Sequence, residues 1–264
     1  MLTEAKKELK LIFLSMKYNL AREMTNKATF LTNIIFMVLN NACFLVEWII
    51  FYSLKDNIGG YALKDVILLW GLASGTYAIC FIFFGGVVEL PKLIMEGKID
   101  SHLVQPKNIL ISILSSKTKV SAIGDLIYSY ILLFIYGFNI KNLILYTLFL
   151  IIGGIIITSI GTIFGSLAFY ITKADTLANT MMNMMLNFGT YPDGIFKGAI
   201  RILFFTIIPI GFAIYLPLNI LREFNLVNFI VILLFGLIVS ILAFVIFNKG
   251  LKRYSSSNLM SARV

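Results

Sequence analysis

Long apolar runs divided by short polar punctuation make up most of this chain, and their lengths predict its architecture. Six stretches read as membrane segments: residues 30–54, 66–90, 120–138, 143–171, 177–190 and 227–247. A helix needs about 20 apolar residues to cross a bilayer core, so five of the six are long enough or nearly so, and 177–190 is short. Turn signals separate them: Gly59-Gly60 within 55–65, Asn139 to Asn142, and Thr172 to Thr176. The longest polar interruption, residues 91–119, opens at Pro91 and carries Glu96-Gly97-Lys98-Ile99-Asp100 and Pro106.

After the fourth segment the rhythm breaks. Tyr191-Pro192-Asp193-Gly194 ends the short run, and a second apolar run at 200–216 contains Pro209 and closes at Pro217. Broken helices at membrane depth occur where the backbone is buried in protein or lines a wet cavity. One reading is a short fifth span followed by a re-entrant helical hairpin over 191–217. The other makes 200–216 the fifth span and lays 177–190 at the interface. Both leave the same parity. The first 29 residues place Leu9, Phe13, Met16, Leu20 and Met24 at helical spacing beside Lys6, Lys10 and Lys17. This predicts a helix along the cytoplasmic interface, its lysines near anionic headgroups. A solvated basic leader is the alternative.

Composition agrees with this pattern. Apolar residues are 59% of the 264, charged residues 13%, and mean hydropathy is +0.92. Soluble domains carry about 25% charged residues, so a soluble enzyme or a disordered chain is excluded. The predicted class is an all-α integral membrane protein of six transmembrane helices, a single domain over 1–264. Of 22 Lys and Arg, 16 fall on one side of the predicted topology and six on the other. That asymmetry puts both termini in the cytoplasm and the 91–119 loop with them. The net charge of +9 is spent on topology, so no nucleic-acid partner is implied. Cys43 and Cys80 sit inside apolar runs and read as small hydrophobes. No cleavable signal peptide is visible.

The chemistry is sparse. The single histidine, His102, lies in the cytoplasmic loop. Gly97-Lys98 has Lys92 where a phosphate-binding loop needs its first glycine. Ala122 stands where Gly124-Asp125 would need a glycine to form an intramembrane aspartyl motif. Any ATP hydrolysis must therefore come from a partner, and no metal site or catalytic residue is predicted. Among intramembrane acids, Glu47 is read as pairing with a neighbouring helix or Arg201, or as facing outer water. Asp125 is read as sitting at the interface or capping its helix. Thr176, Asn179, Thr180, Asn183 and Asn187 recur at spacings of three and four, with Met181, Met182, Met184 and Met185 interleaved. Amides in a membrane helix face other helices or a cavity, so this stripe is a candidate pathway lining. Gly154, Thr158, Gly161 and Gly165 form a small-residue stripe suited to close packing.

Three segments resemble the permease subunit of a bacterial type-2 ABC exporter, of the roughly 260-residue family encoded beside a separate ATPase. They are the run from Leu93 through Glu96-Gly97-Lys98-Ile99-Asp100 and Leu103 to Pro106; Tyr191-Pro192 with Ile195-Phe196, Gly198 and Arg201; and Ile208-Pro209 with Leu216-Pro217. Gln105 stands where the family often has arginine. The resemblance implies that residues 91–119 form the coupling loop docking on the ATPase, with Glu96, Gly97, Lys98, Asp100 and Leu103 in contact. It implies an interfacial elbow helix at 1–29. It makes Tyr191, Pro192, Arg201, Pro209 and Pro217 part of a re-entrant hairpin closing the pathway outside. ATP and Mg would bind the partner ATPase, and a second permease, identical or similar, would complete the path in the bacterial plasma membrane. An ion-coupled secondary carrier and a non-transporting scaffold are the alternatives.

Overall fold

The computed structural model describes residues 2–254 and, among them, shows helices and no β-strand. Arg263, counted above on the cytoplasmic side, lies outside the described residues. Five helices exceed 20 residues: α1 (Leu2–Glu23), α2 (Lys27–Leu54), α3 (Leu63–Phe83), α8 (Ile140–Ser166) and α12 (Leu226–Leu251). The remaining elements are α4 (Leu90–Met95), α5 (Asp100–Leu103), α6 (Ile109–Leu114), α7 (Ser121–Gly137), α9 (Ala174–Gly189), α10 (Ala199–Leu203) and α11 (Leu216–Arg222). Among the described residues, four helices are long and apolar enough to cross a membrane: α2, α3, α8 with its continuation to Phe169, and α12. α7, at 17 residues, is apolar but shorter, and α9 has 16.

Asparagine starts three of the long helices. The side chains of Asn26, Asn139 and Asn225 accept from the backbone N–H of Thr29, Lys141 and Asn228, satisfying donors that a helix start leaves open. α2 and α8 therefore begin three residues before their apolar runs, and α12 one residue before. At the other end, the stretch predicted as 66–90 stops at Phe83. Gly85–Val88 turns into a tight 3₁₀ segment instead. A Cβ on Gly86 would overlap the carbonyl oxygen of Ile113, so only glycine lets these backbones meet.

α3 lies at the centre, against α7 and α8. The inner window of α3 is 72% buried, against 11% for α2 and 22% for α12. Polar bonds pin the helices where apolar contact alone does not discriminate between lipid and neighbour. Ser129 Oγ of α7 donates to the Gly71 carbonyl of α3 at 2.7 Å and shares a 2.7 Å bond with Tyr146 of α8. Ser159 of α8 meets Ser240 of α12 at 3.1 Å. The glycines of the predicted small-residue stripe sit on these faces: Gly154 packs on Ile79 of α3, Gly161 on Val87 and Met182, and Gly165 on Leu90.

One end of the bundle carries α1, the α4–α6 module, the α8–α9 turn and the end of α12. Here Phe13 of α1 packs edge-on to Phe83 at 5.6 Å, and Asn19 Nδ2 donates to the Ser115 carbonyl at 3.1 Å. Leu9, Phe13 and Tyr18 of α1 are exposed, with Met24 just after it, and so are Lys6, Lys10 and Lys17. The opposite end carries the α2–α3 loop and residues 190–225. There the two runs around 191–217 fold as short pieces: a 3₁₀ turn at Asp193–Ile195, α10, a π-helical turn at Gly211–Tyr215 and α11.

Candidate functional site: a cleft between α2, α3 and α9

Two cavities of about 290 and 340 Å³ lie along the junction of α2, α3 and α9. They share Tyr77, Phe81, Lys119 and Leu186, so they form one cleft. The upper cavity takes Asn40, Asn41 and Glu47 from α2, Trp70 and Ser74 from α3, and Asn187 from α9 with Thr190 just beyond it. The lower cavity takes Asn179 and Asn183 from α9, Glu89 just before α4, and Lys117 and Thr118 before α7. It therefore opens beside the α4–α6 module.

The predicted α9 amides thus divide between the two cavities. Helical spacing alone places Asn179, Asn183 and Asn187 on one exposed side, and the tertiary packing turns that side into a wall. Thr176 and Thr180 are exposed too but stand outside the walls of these two cavities. Three of the four methionines, Met181, Met182 and Met185, are buried, and Met182 alone of them also borders the cleft.

For each of two acids, one of the expected settings is not found. Asp125 does not cap α7. Its Oδ1 accepts from Asn41 Nδ2 of α2 at 2.6 Å, and the pair lines the upper cavity. A carboxylate inside an apolar bundle needs such a donor. Glu47 is exposed on the cavity wall and does not pair with Arg201, because Arg201 is taken by Asp193. The sequence reading missed the α2 and α3 walls. Asn40 and Glu47, seven residues apart, share a helix face, and that spacing was the available signal.

The α4–α6 module is fastened to the end of α3. Thr118 Oγ1 donates to the Ile82 carbonyl at 2.9 Å, Lys119 N–H to the Phe81 carbonyl at 3.0 Å, and Lys117 pairs with Glu89 at 3.0 Å. Leu90, Ile94 and Ile99 are fully buried beneath it. The predicted coupling residues are partly engaged within the chain. Glu96 accepts Lys98 Nζ at 2.6 Å and lies 3.8 Å from Lys92, and the Lys98 ammonium holds its carboxyl below the usual carboxylate range. Gly97 sits at φ +66°, the left-handed region that glycine enters freely, and so reverses the chain between α4 and α5. Asp100 stands beside the Tyr254 hydroxyl at the end of α12. His102 Nδ1 meets Ser112 Oγ at 3.0 Å, linking α5 to α6, and burial pulls its pKa down, with Lys107 adding to the effect. Leu103 is 41% exposed and Val104 84%, an apolar tip flanked in sequence by exposed Lys98, Ser101 and Lys107.

At the opposite end a clasp joins the α2–α3 loop to residues 191–222. Asp193 is 6% exposed. Its Oδ1 accepts from the Tyr61 hydroxyl at 2.6 Å and its Oδ2 from Arg201 Nη2 at 3.0 Å. Burial, then the Asp193 hydrogen bond, push the Tyr61 phenol above its ordinary pKa, so it remains a donor. Arg222 stacks over the Tyr61 ring at 5.3 Å and pairs with Asp65 at 3.1 Å. Tyr215 OH donates to the Phe188 carbonyl at 2.6 Å, tying the π-helical turn to the end of α9. Of the predicted hairpin residues, Arg201 joins this clasp. Tyr191 packs edge-on to Trp48 at 5.8 Å, and Pro217 opens α11.

No curated protein and no solved structure matches the chain. The family described as ABC-2 family transporter protein matches residues 38–258, which takes in the cleft, the α4–α6 module and the clasp. The chain therefore belongs to the ABC-2 transporter family, as a multi-pass membrane permease of the ABC exporter kind.

Proposed function

We propose that this chain is the membrane half of an ATP-driven exporter, with hydrolysis carried out by a separate ABC ATPase that binds ATP and Mg. The observation that carries the reading is the continuity between the cleft and the α4–α6 module. Lys117, Thr118 and Lys119 line the cleft and simultaneously fix the module to α3. A push on the module therefore reaches the cleft wall through the Thr118 side-chain bond and the Lys119 backbone bond to α3. Leu103 and Val104 form the knob that enters the ATPase, and Glu96, Lys98 and Asp100 shape its base. In this reading α2, α3, α7, α8, α9 and α12 are the six spans. The pieces over 191–217 form the re-entrant hairpin on the outside, and α1 lies at the cytoplasmic interface as the elbow. Both termini face the cytoplasm of a bacterial cell. A second permease covers the open face of α2 and α9, and its chain encloses the path; lipid covers the other uncovered faces.

Purification of the tagged full chain from its native membrane tests this. The expected result is an ATPase with Walker sequences in near-equal amount, lost with Val104→Asp. Recovery of the folded chain without an ATPase contradicts it. An ion-coupled carrier is the second reading, favoured by Glu47 and Asp125 on the cleft wall. It predicts flux in liposomes driven by an ion gradient with no ATPase present.

A further inference from the structure

The chain contains two tryptophans, Trp48 and Trp70, and both line the upper cavity. Phe44 stacks on Trp70 at 5.6 Å with its ring plane 22° away, and Tyr191 stands edge-on to Trp48. The wall is therefore dominated by aromatic rings, whose faces are negative and attract cations. One cation already uses this wall: Lys119 Nζ sits 4.9 Å from the centre of the Phe81 ring. Charge points the same way. Lys119 and Asp125 line the same cavity and offset one another. Glu47 is left as the uncompensated charge, with no ion pair among the described residues. A cavity of about 290 Å³ at the lower end of ligand-site sizes suits a small organic molecule rather than a polymer.

We infer that the upper cavity binds a small amphipathic organic cation, its apolar body against Trp48, Trp70 and Phe44 and its charge balanced by Glu47. This rests on the cleft being the substrate path of an exporter, and names the substrate class for it. An anion would meet Glu47 without a paired cation. A neutral apolar solute would leave the Glu47 charge unbalanced.

The two tryptophans make occupancy readable without transport. The full chain in nanodiscs of zwitterionic lipid is titrated with phenyltrimethylammonium and, separately, with tert-butylbenzene, its neutral isostere. The expected result is a saturable change in tryptophan emission with the cation and a linear, partition-like change with the neutral compound. Glu47→Gln, at an exposed position that tolerates exchange, weakens the cation about fivefold or more, since one charge pair is lost, and Glu47→Asp restores most of it. Equal responses to the two compounds, or a cation affinity untouched by Glu47→Gln, overturn the inference. The measurement needs neither ATPase nor nucleotide. Saturable cation binding without ATP-driven flux contradicts the exporter reading alone. ATP-driven flux of another solute without cation binding overturns the substrate class alone.

Discussion

The Asp193 clasp gives a prediction whose size follows from its geometry. Asp193 is buried and accepts from the Tyr61 hydroxyl and Arg201. Tyr61 is itself 4% exposed, so its hydroxyl cannot turn to water when the acceptor is removed. A hydrogen bond to a charged group contributes about 1.5–3 kcal/mol, and a buried donor left unpaired costs about 1–3 kcal/mol. The Arg201 side chain is 60% exposed, so that ion pair adds at most about 1 kcal/mol. Asp193→Ala should therefore cost about 2–4 kcal/mol, and Arg201→Gln less than about 1. At about 2–4 °C per kcal/mol for a chain of this length, Asp193→Ala lowers the melting temperature by about 4–16 °C. Tyr61→Phe removes the same bond from the other side. The double variant should therefore be less destabilised than the sum, by about 1–2 kcal/mol. Tryptophan emission during thermal unfolding reports the change, because Trp48 contacts Tyr191, two residues before Asp193. A melting temperature for Asp193→Ala within about 1 °C of the parent, or full additivity of the two substitutions, would refute the reasoning.

Other predictions reach the remaining parts. Gly86→Ala drives a Cβ into the Ile113 carbonyl and should cost about 1–3 kcal/mol; faster hydrogen exchange across 85–119 is the check, and unchanged exchange counts against the fastening of the module to α3. His102 has a lowered pKa in the fold, so its contribution is present above its ordinary value of 6.5 and is lost as pH falls below it. Exchange across 98–114 should therefore rise below that pH, and His102→Gln should remove the pH dependence. Asn41→Ala leaves the Asp125 carboxylate without its 2.6 Å donor and should destabilise the α2–α7 contact by about 2–4 kcal/mol; Asp125→Asn in the same chain should recover part of it.

How much of this was legible in the sequence depends on the range of the interaction. The long helices could be read because apolar length is a local property, and their starts were off by only a few residues, where Asn26, Asn139 and Asn225 cap earlier than the apolar runs begin. The end of α3 was missed by seven residues because apolar composition continues through Gly85–Val88. What stops the helix there is a backbone approach from Ile113, which no local pattern encodes. The α9 amides were visible as a stripe because 3.6-residue periodicity is local too. The opposite wall was not. Asn41 gained meaning only when α7 brought Asp125 against it across 84 positions, and Tyr61 only when Asp193 arrived across 132. Arg201 illustrates the limit: its charge suggested a partner in Glu47, and the fold supplied Asp193, eight residues away.

The central claim is that the α2–α3–α9 cleft is a path whose access is switched by an ATPase acting on the α4–α6 module. The most direct test places a cysteine at Asn183 on the cleft wall, in a Cys43→Ser background, since Cys43 is the exposed native thiol and Cys80 is buried. Its labelling by a membrane-impermeant maleimide is measured in membranes containing the co-purified ATPase, from each side, with and without a non-hydrolysable ATP analogue. The account predicts that the nucleotide changes the rate and the side of labelling, and that Val104→Asp abolishes the change while leaving the resting rate intact. Labelling that is indifferent to nucleotide in the ATPase-bound complex would contradict it.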